Sequence, residues 1–165
     1  MAISGPYLLF VTTNMERKMN ETDKAWLAGF IDGEGCINLQ LQRAHGRKYY
    51  LIRIQITQTH DDVLRHVCKI TGVNRLIKMK RYGKNHADAY KWDADMKDSK
   101  RILSEILPYL RRKKEVATLA LEYIDFWYSN KPPKKERGKE AKEINYEAFD
   151  EYKERFHALN ARGKK

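Results

Sequence analysis

The paired acids Asp32 and Glu34 are the residues best equipped for chemistry. They alternate with Gly33 and Gly35 at the end of Leu27-Ala28-Gly29-Phe30-Ile31, and no histidine or cysteine cluster elsewhere competes as a metal site. Small residues lead up to them. A glycine inside a helix costs ~1 kcal/mol against alanine, and Gly33 follows Gly29 by four residues, on the same side. Small residues at this spacing let two helix backbones approach closely. The segment therefore reads as a helix-to-helix seam built on Ala28, Gly29 and Gly33 and ending in paired acids. A core helix with a glycine C-cap would use the same glycines, which alone do not separate the two readings.

A second set of residues suits recognition rather than reaction. The 165-residue chain carries 33 Lys and Arg against 22 Asp and Glu, a net charge of +11. Residues 36–96 hold 12 basic and 5 acidic side chains, net +7, whereas residues 1–35 are net −2. No acid occurs from Cys36 to His60, nor from Val63 to Ala87. A solvated lysine-rich face normally balances itself with glutamate, so these stretches point to a polyanion.

The elements that must position both sets follow from periodicity. Asn20 or Thr22 can cap a helix running from Asp23 to Ile31, with Asp32-Gly33-Glu34-Gly35 as its breaker. The period then changes to two: Ile37, Leu39 and Leu41 alternate with Asn38, Gln40 and Gln42, and Ile52, Ile54 and Ile56 with Arg53, Gln55 and Thr57. These runs, with a loop at Arg43–Lys48, predict a hairpin with one apolar and one polar face. A helix capped at Asp61 or Asp62 and stopped by Gly72 follows. A second hairpin spans Val73–Arg81 and Ala87–Asp93, with a bulge where Leu76, Ile77 and Met79 fail to alternate. Helices are expected at Ser99–Leu107, Lys113–Tyr128 and Tyr146–Leu159, the last after a Pro132-Pro133 linker. The division is a mobile leader at 1–20, a domain at 21–130, and a linker with a C-terminal helix packed on the domain at 131–165.

Other classes fall away. An apolar fraction of 42% with 11% aromatics argues against disorder. Two cysteines are too few for a disulfide scaffold and have no zinc spacing; Cys36 is expected at a buried strand position. No apolar run approaches the ~20 residues of a membrane span, and Tyr7–Val11 lacks the charged start of a signal peptide. The expected setting is intracellular: cytoplasmic in a prokaryote, organellar in a eukaryote.

The nine residues Leu27-Ala28-Gly29-Phe30-Ile31-Asp32-Gly33-Glu34-Gly35, followed by two hairpins, resemble the signature of the LAGLIDADG homing endonucleases. Pro108-Tyr109-Leu110-Arg111-Arg112-Lys113-Lys114 resembles the family's second recognisable segment, so the similarity runs from about Asp23 to Tyr128. The resemblance implies an α+β fold of order αββαββα with a four-stranded antiparallel saddle sheet on DNA. A single motif copy implies a homodimer. Glu34 falls on the metal-binding acid, where the family's namesake has Asp, and Gly33 on the residue whose carbonyl is a metal ligand; Asp32 is the structural acid. Gln58 matches a polar active-site position that orders water, and Lys113 the lysine that supports the scissile phosphate. An arginine common after the glutamine position is absent, the stretch reading Thr59-His60-Asp61-Asp62.

The implied activity is Mg²⁺-dependent cleavage of both strands of a long, pseudo-palindromic DNA site by an intron-encoded enzyme. Phosphodiester hydrolysis needs an activated water, charge neutralisation and leaving-group stabilisation, which paired divalent ions supply together. One Glu34 is a poor site; two, meeting at a dimer seam with phosphate oxygens, make a good one. The hairpin's polar face suits the major groove, with Asn38, Gln40, Gln42 and Gln55 toward adenine edges and Arg53 toward guanine. Nine strand residues at ~3.3 Å span about nine base pairs. Arg43, Arg47 and Lys48 would reach outer bases or phosphates, and Lys78, Lys80, Arg81, Lys84 and Lys91 would serve the second hairpin. Two rival expectations are a maturase that binds its host intron RNA and a DNA-binding protein that no longer cleaves.

Overall fold

In a computed structural model, residues 18–44, 46–79, 88–130 and 146–161 are described. The expected leader up to Arg17 and the Pro132-Pro133 linker lie outside them, as do Lys80, Arg81, Lys84 and the tip of the second hairpin.

Helix α1 spans Glu21–Glu34. Asn20, not Thr22, caps it: its Oδ1 accepts the Asp23 N–H at 2.8 Å. Glu21 and Asp23 in the first turn complement the helix dipole. The helix does not break at Asp32, as the glycines predict, but carries Asp32, Gly33 and Glu34 in its last turn. Gly35 is the terminator. Its N–H donates to the Ile31 carbonyl, and a Cβ there would lie 2.9 Å from Ile31 Cα. Only glycine lets the chain fold back this tightly into a strand.

Strands β1 (Gly35–Ala44) and β2 (Arg47–Gln58) pair antiparallel along their whole length, from Gly35 opposite Ile56 to Ala44 opposite Arg47. The loop expected at Arg43–Lys48 is thus reduced to two residues, with Gly46 at φ 74°. Helix α2 (Asp62–Thr71) ends at Gly72, whose φ of 73° closes the last turn. Strands β3 (Leu76–Met79) and β4 (Ala89–Ala94) pair one-to-one, without the expected bulge among the described residues. The sheet order is β1-β2-β4-β3, antiparallel throughout. Helix α3 (Met96–Ile106) begins three residues before the predicted Ser99, because Asp95 caps it by accepting the Asp98 N–H at 3.0 Å. Helices α4 (Lys114–Asn130) and α5 (Glu147–Ala161) complete the chain.

The helices cover one face of the sheet. Ile37, Ile52, Ile54, Ile56 and Trp92 point into them and are buried against Leu27, Ile31, Leu64, Ile102, Leu103 and Ala120. Burying each such isoleucine contributes about 1.5–3 kcal/mol. The Trp92 indole N–H reaches the Val73 carbonyl at 2.9 Å, so its one polar atom is satisfied. Helix α5 buries Phe149 and Phe156, stacks Phe149 on Tyr50 and receives the Tyr50 hydroxyl at Asp150. It therefore runs along the β1–β2 ribbon on the helix side, from Lys48 near the turn to Ile37, whose carbonyl accepts the Asn160 amide at 3.4 Å.

Candidate active site and nucleic-acid surface

Three segments far apart in sequence converge where α1 ends. Glu34, exposed at the last helical position, faces Gln58, the last residue of β2; Gln58 Nε2 lies 3.3 Å from Glu34 Oε2. Lys113 stands immediately before α4, and its Nζ donates to the Asp32 main-chain carbonyl at 2.5 Å. Burial of the ammonium pulls the Lys113 pKa below the ordinary lysine value, with Asp32 and, less strongly, Glu34 opposing it. The structure thus brings the expected trio Glu34, Gln58 and Lys113 to one place. Asp32 points away from the trio's opening: its carboxylate accepts the backbone N–H groups of Arg111, Arg112 and Lys113 at 2.7, 3.2 and 2.8 Å.

The donors offered to a cation are hard. Glu34 supplies a carboxylate and Gly33, exposed beside it, a carbonyl. No group of three or more His, Cys, Asp or Glu side chains able to hold a metal occurs among the described residues. The described residues thus offer a carboxylate and a carbonyl at this point rather than a closed metal cage. Such a pair suits a cation that keeps water and phosphate oxygens, as Mg²⁺ does.

Beside this site α1 presents an open stripe. A Cβ added at Gly29 or Gly33 would meet nothing within 4 Å, and Trp26, 37% exposed and stacked on Phe30, continues the stripe toward the N-terminus. Ala28 does not belong to it. It is fully buried with Leu27 and Ile31 against the protomer's own core, because one residue is a 100° turn of the helix.

The second surface is the sheet face without helices. Strand alternation puts Asn38, Gln40 and Gln42 of β1 there with Arg53 and Gln55 of β2 and Lys91 of β4. Gln40 Nε2 donates to Gln55 Oε1 at 2.9 Å, so the two amides are already ordered side by side. Other expected contacts are displaced. Arg43, Lys48 and Lys78 alternate onto the opposite face: Lys48 lies 3.9 Å from Asp150 and over the Tyr146 ring of α5, and Lys78 pairs with Asp88 at 3.0 Å. Arg47 sits at an open-face strand position, yet it is buried. Arg53 is engaged by Asp93 at 3.6 Å, which puts an acid on the face that the charge pattern predicts to be basic. Cys36 is exposed at the start of β1 rather than buried, its thiol donating to Asn38 Oδ1 at 2.9 Å; it shares the phase of Asn38, not of Ile37. Tyr49, Leu51, Thr57 and Ile77 share this face and were readable from the same alternation. Ile77, 43% exposed, accounts for the broken period in β3.

Comparison with known proteins converges on one family. The LAGLIDADG endonuclease family matches residues 27–129. The DNA endonuclease I-CvuI of Chlorella vulgaris is 30% identical over 117 residues, covering 66% of this chain and 68% of that protein. Among solved structures, the homing endonuclease I-CvuI in complex with its target superposes with a TM-score of 0.56 at 22% identity, over 84% of this chain and 95% of that one. The LAGLIDADG homing endonuclease I-GzeII in complex with its DNA target gives 0.56 at 16% identity, over 86% of this chain but 44% of that one. At these identities the superpositions establish the fold.

Proposed function

The chain belongs to the LAGLIDADG endonuclease family, and from that premise we propose that it is a site-specific, double-strand DNA endonuclease that works as a homodimer with Mg²⁺. The observation that carries this reading is the convergence of Glu34, Gln58 and Lys113 from the ends of α1 and β2 and the start of α4.

The dimer is supported by the exposed Gly29/Gly33 stripe, where an added Cβ would meet nothing within 4 Å and small residues would let a second α1 approach at backbone distance. The length relationship supports it: this chain matches 44% of I-GzeII, half or less of a protein that thus has room for two such units. Pairing α1 with α1 brings two Glu34 residues together beneath the DNA.

Glu34 and the Gly33 carbonyl would hold the cation of each protomer; structures of I-CvuI on DNA were obtained in the presence of calcium and of magnesium. Bound divalent ions would supply charge to the phosphate and lower the pKa of water. The protein's own residues do the rest. The Gln58 amide fixes one Glu34 oxygen and is placed to orient a water. The Lys113 ammonium, tied to the Asp32 main-chain carbonyl, faces the developing negative charge of the phosphate. The open sheet face positions the duplex. Its amides suit adenine edges and Arg53, held by Asp93, suits guanine.

The test is selection of cleaved molecules from a randomised duplex library with Mg²⁺, with Ca²⁺ as control. A single long site of near-twofold symmetry, cut on both strands only with Mg²⁺, is expected. Binding should weaken steeply with salt as phosphates are neutralised. Absence of any cleaved sequence would sink the endonuclease reading.

A further inference from the structure

We infer that Asp32 is the positioning residue that fixes the Lys113 ammonium in the active site, by clamping the turn 111–113 with its carboxylate and Nζ with its main-chain carbonyl. The inference rests on the endonuclease reading for its catalytic consequence, but not for the clamp itself.

The clamp has four hydrogen bonds across 81 residues of sequence. Asp32 Oδ2 accepts the N–H groups of Arg111 and Arg112, Oδ1 accepts that of Lys113, and the Asp32 carbonyl accepts Lys113 Nζ. Three successive N–H groups converging on one carboxylate form an anion nest. Both Asp32 oxygens are consumed by it, which leaves Glu34 as the carboxylate of the pair that is available to a cation.

The turn needs this help. The Lys113 carbonyl accepts the Ala117 N–H at 2.9 Å, so Lys113 occupies the position before the first residue of α4. Serine, threonine, asparagine or aspartate normally stands there and contributes an oxygen from its own side chain. Lysine has none. Its long stem instead folds back, so that backbone N–H and terminal amine are tied to the same residue. A lysine side chain is flexible by nature, and here both ends of it are held. Asp32 lies in the same helical turn as Glu34, so one clamp sets the distance between the cation's carboxylate and the ammonium.

Two measurements decide it. The first compares wild type, Asp32→Asn, Lys113→Ala and the double variant on the selected DNA site, under single turnover in Mg²⁺ and for binding in Ca²⁺. Asp32→Asn is expected to lower the cleavage rate about tenfold to a hundredfold with binding within about threefold, as for a misplaced catalytic group. In the Lys113→Ala background the same substitution should cost about twofold or less. Multiplicative losses, or binding that falls as far as the rate, would overturn the positioning role. The second needs no cleavage: limiting acetic anhydride followed by mass spectrometry compares Lys113 with exposed Lys114 in the wild-type protein. Lys113 should react severalfold more slowly, and Asp32→Asn, with a wild-type circular dichroism spectrum, should erase the difference. Equal labelling of the two lysines in wild type overturns the clamp. A wild-type protein that cuts no DNA but protects Lys113 would instead refute the endonuclease reading and leave the clamp standing.

Discussion

Gln58 and Glu34 meet at 3.3 Å where the last residue of β2 comes alongside the last residue of α1. The strand proposed to read DNA and the helix proposed to pair therefore end at the same point. The amide gives Glu34 a fixed orientation without neutralising it, so the carboxylate keeps its charge for a cation.

Glu34→Gln should abolish cleavage, by at least about a thousandfold as when a key electrostatic group is lost, while DNA binding measured by gel shift in Ca²⁺ stays within a few-fold. Glu34 is exposed and supports no core packing. Parallel loss of binding and folding would assign it a structural role instead.

Gly29→Leu should separate folding from pairing. Its Cβ meets nothing within 4 Å in the protomer, so circular dichroism and the urea midpoint should hardly change, while sedimentation shows a monomer. Ala28→Leu, at a fully buried position, should instead lower stability by about 1–3 kcal/mol through overpacking. A stable dimer of Gly29→Leu would refute the seam.

Gly35→Ala should destabilise the protein although the substitution is small. The new methyl would stand 2.9 Å from Ile31 Cα, a backbone atom that cannot step aside. A loss of about 1–3 kcal/mol in urea unfolding is expected. No change in stability would mean that the α1–β1 junction relaxes freely.

The pH dependence of cleavage should carry the signature of Lys113. Burial lowers its pKa, and only the charged form stabilises a phosphate. The rate should therefore fall as pH rises through a value below that of an ordinary lysine. Lys113→Arg, whose guanidinium stays charged up to about pH 12, should lose that limb while cutting more slowly, because the fork does not reproduce the clamp on Asp32. An unchanged alkaline limb in the variant would assign it to another group.

Much of this arrangement is legible in the residues themselves. The change from a helical period to alternation at Gly35, and the isoleucine phase of Ile52, Ile54 and Ile56, give the first helix, the first hairpin and its core face. Where the reading fails, the cause is specific. Arg43 and Lys48 share the phase of the core residues; they point to the helix side, and only the charge run suggested otherwise. The partners of Lys48, Tyr146 and Asp150, lie about a hundred residues away, so nothing local announces α5 beside it. Ala28 is misassigned because small residues mark both seams and cores. Asp93 escapes because its meeting with Arg53 depends on the β2–β4 register, a long-range pairing that local pattern does not encode. Asp32 looks like a spare acid until the turn 111–113 is seen folded onto it.

The junction between α1 and β1 contains no loop: Glu34 closes the helix and Gly35 opens the strand. The carboxylate of Glu34 and the amide of Asn38, the first side chain proposed to read the duplex, are thus four residues apart on one continuous piece of backbone. On the proposed function, the molecule would act as a ruler whose zero mark is the dimer axis. Substitutions along Asn38, Gln40 and Gln42 would then rewrite which sequence is accepted, while the offset between the bases read and the bond broken would stay constant. Shifting that offset would take insertions at the junction, where Gly35 leaves no room for them.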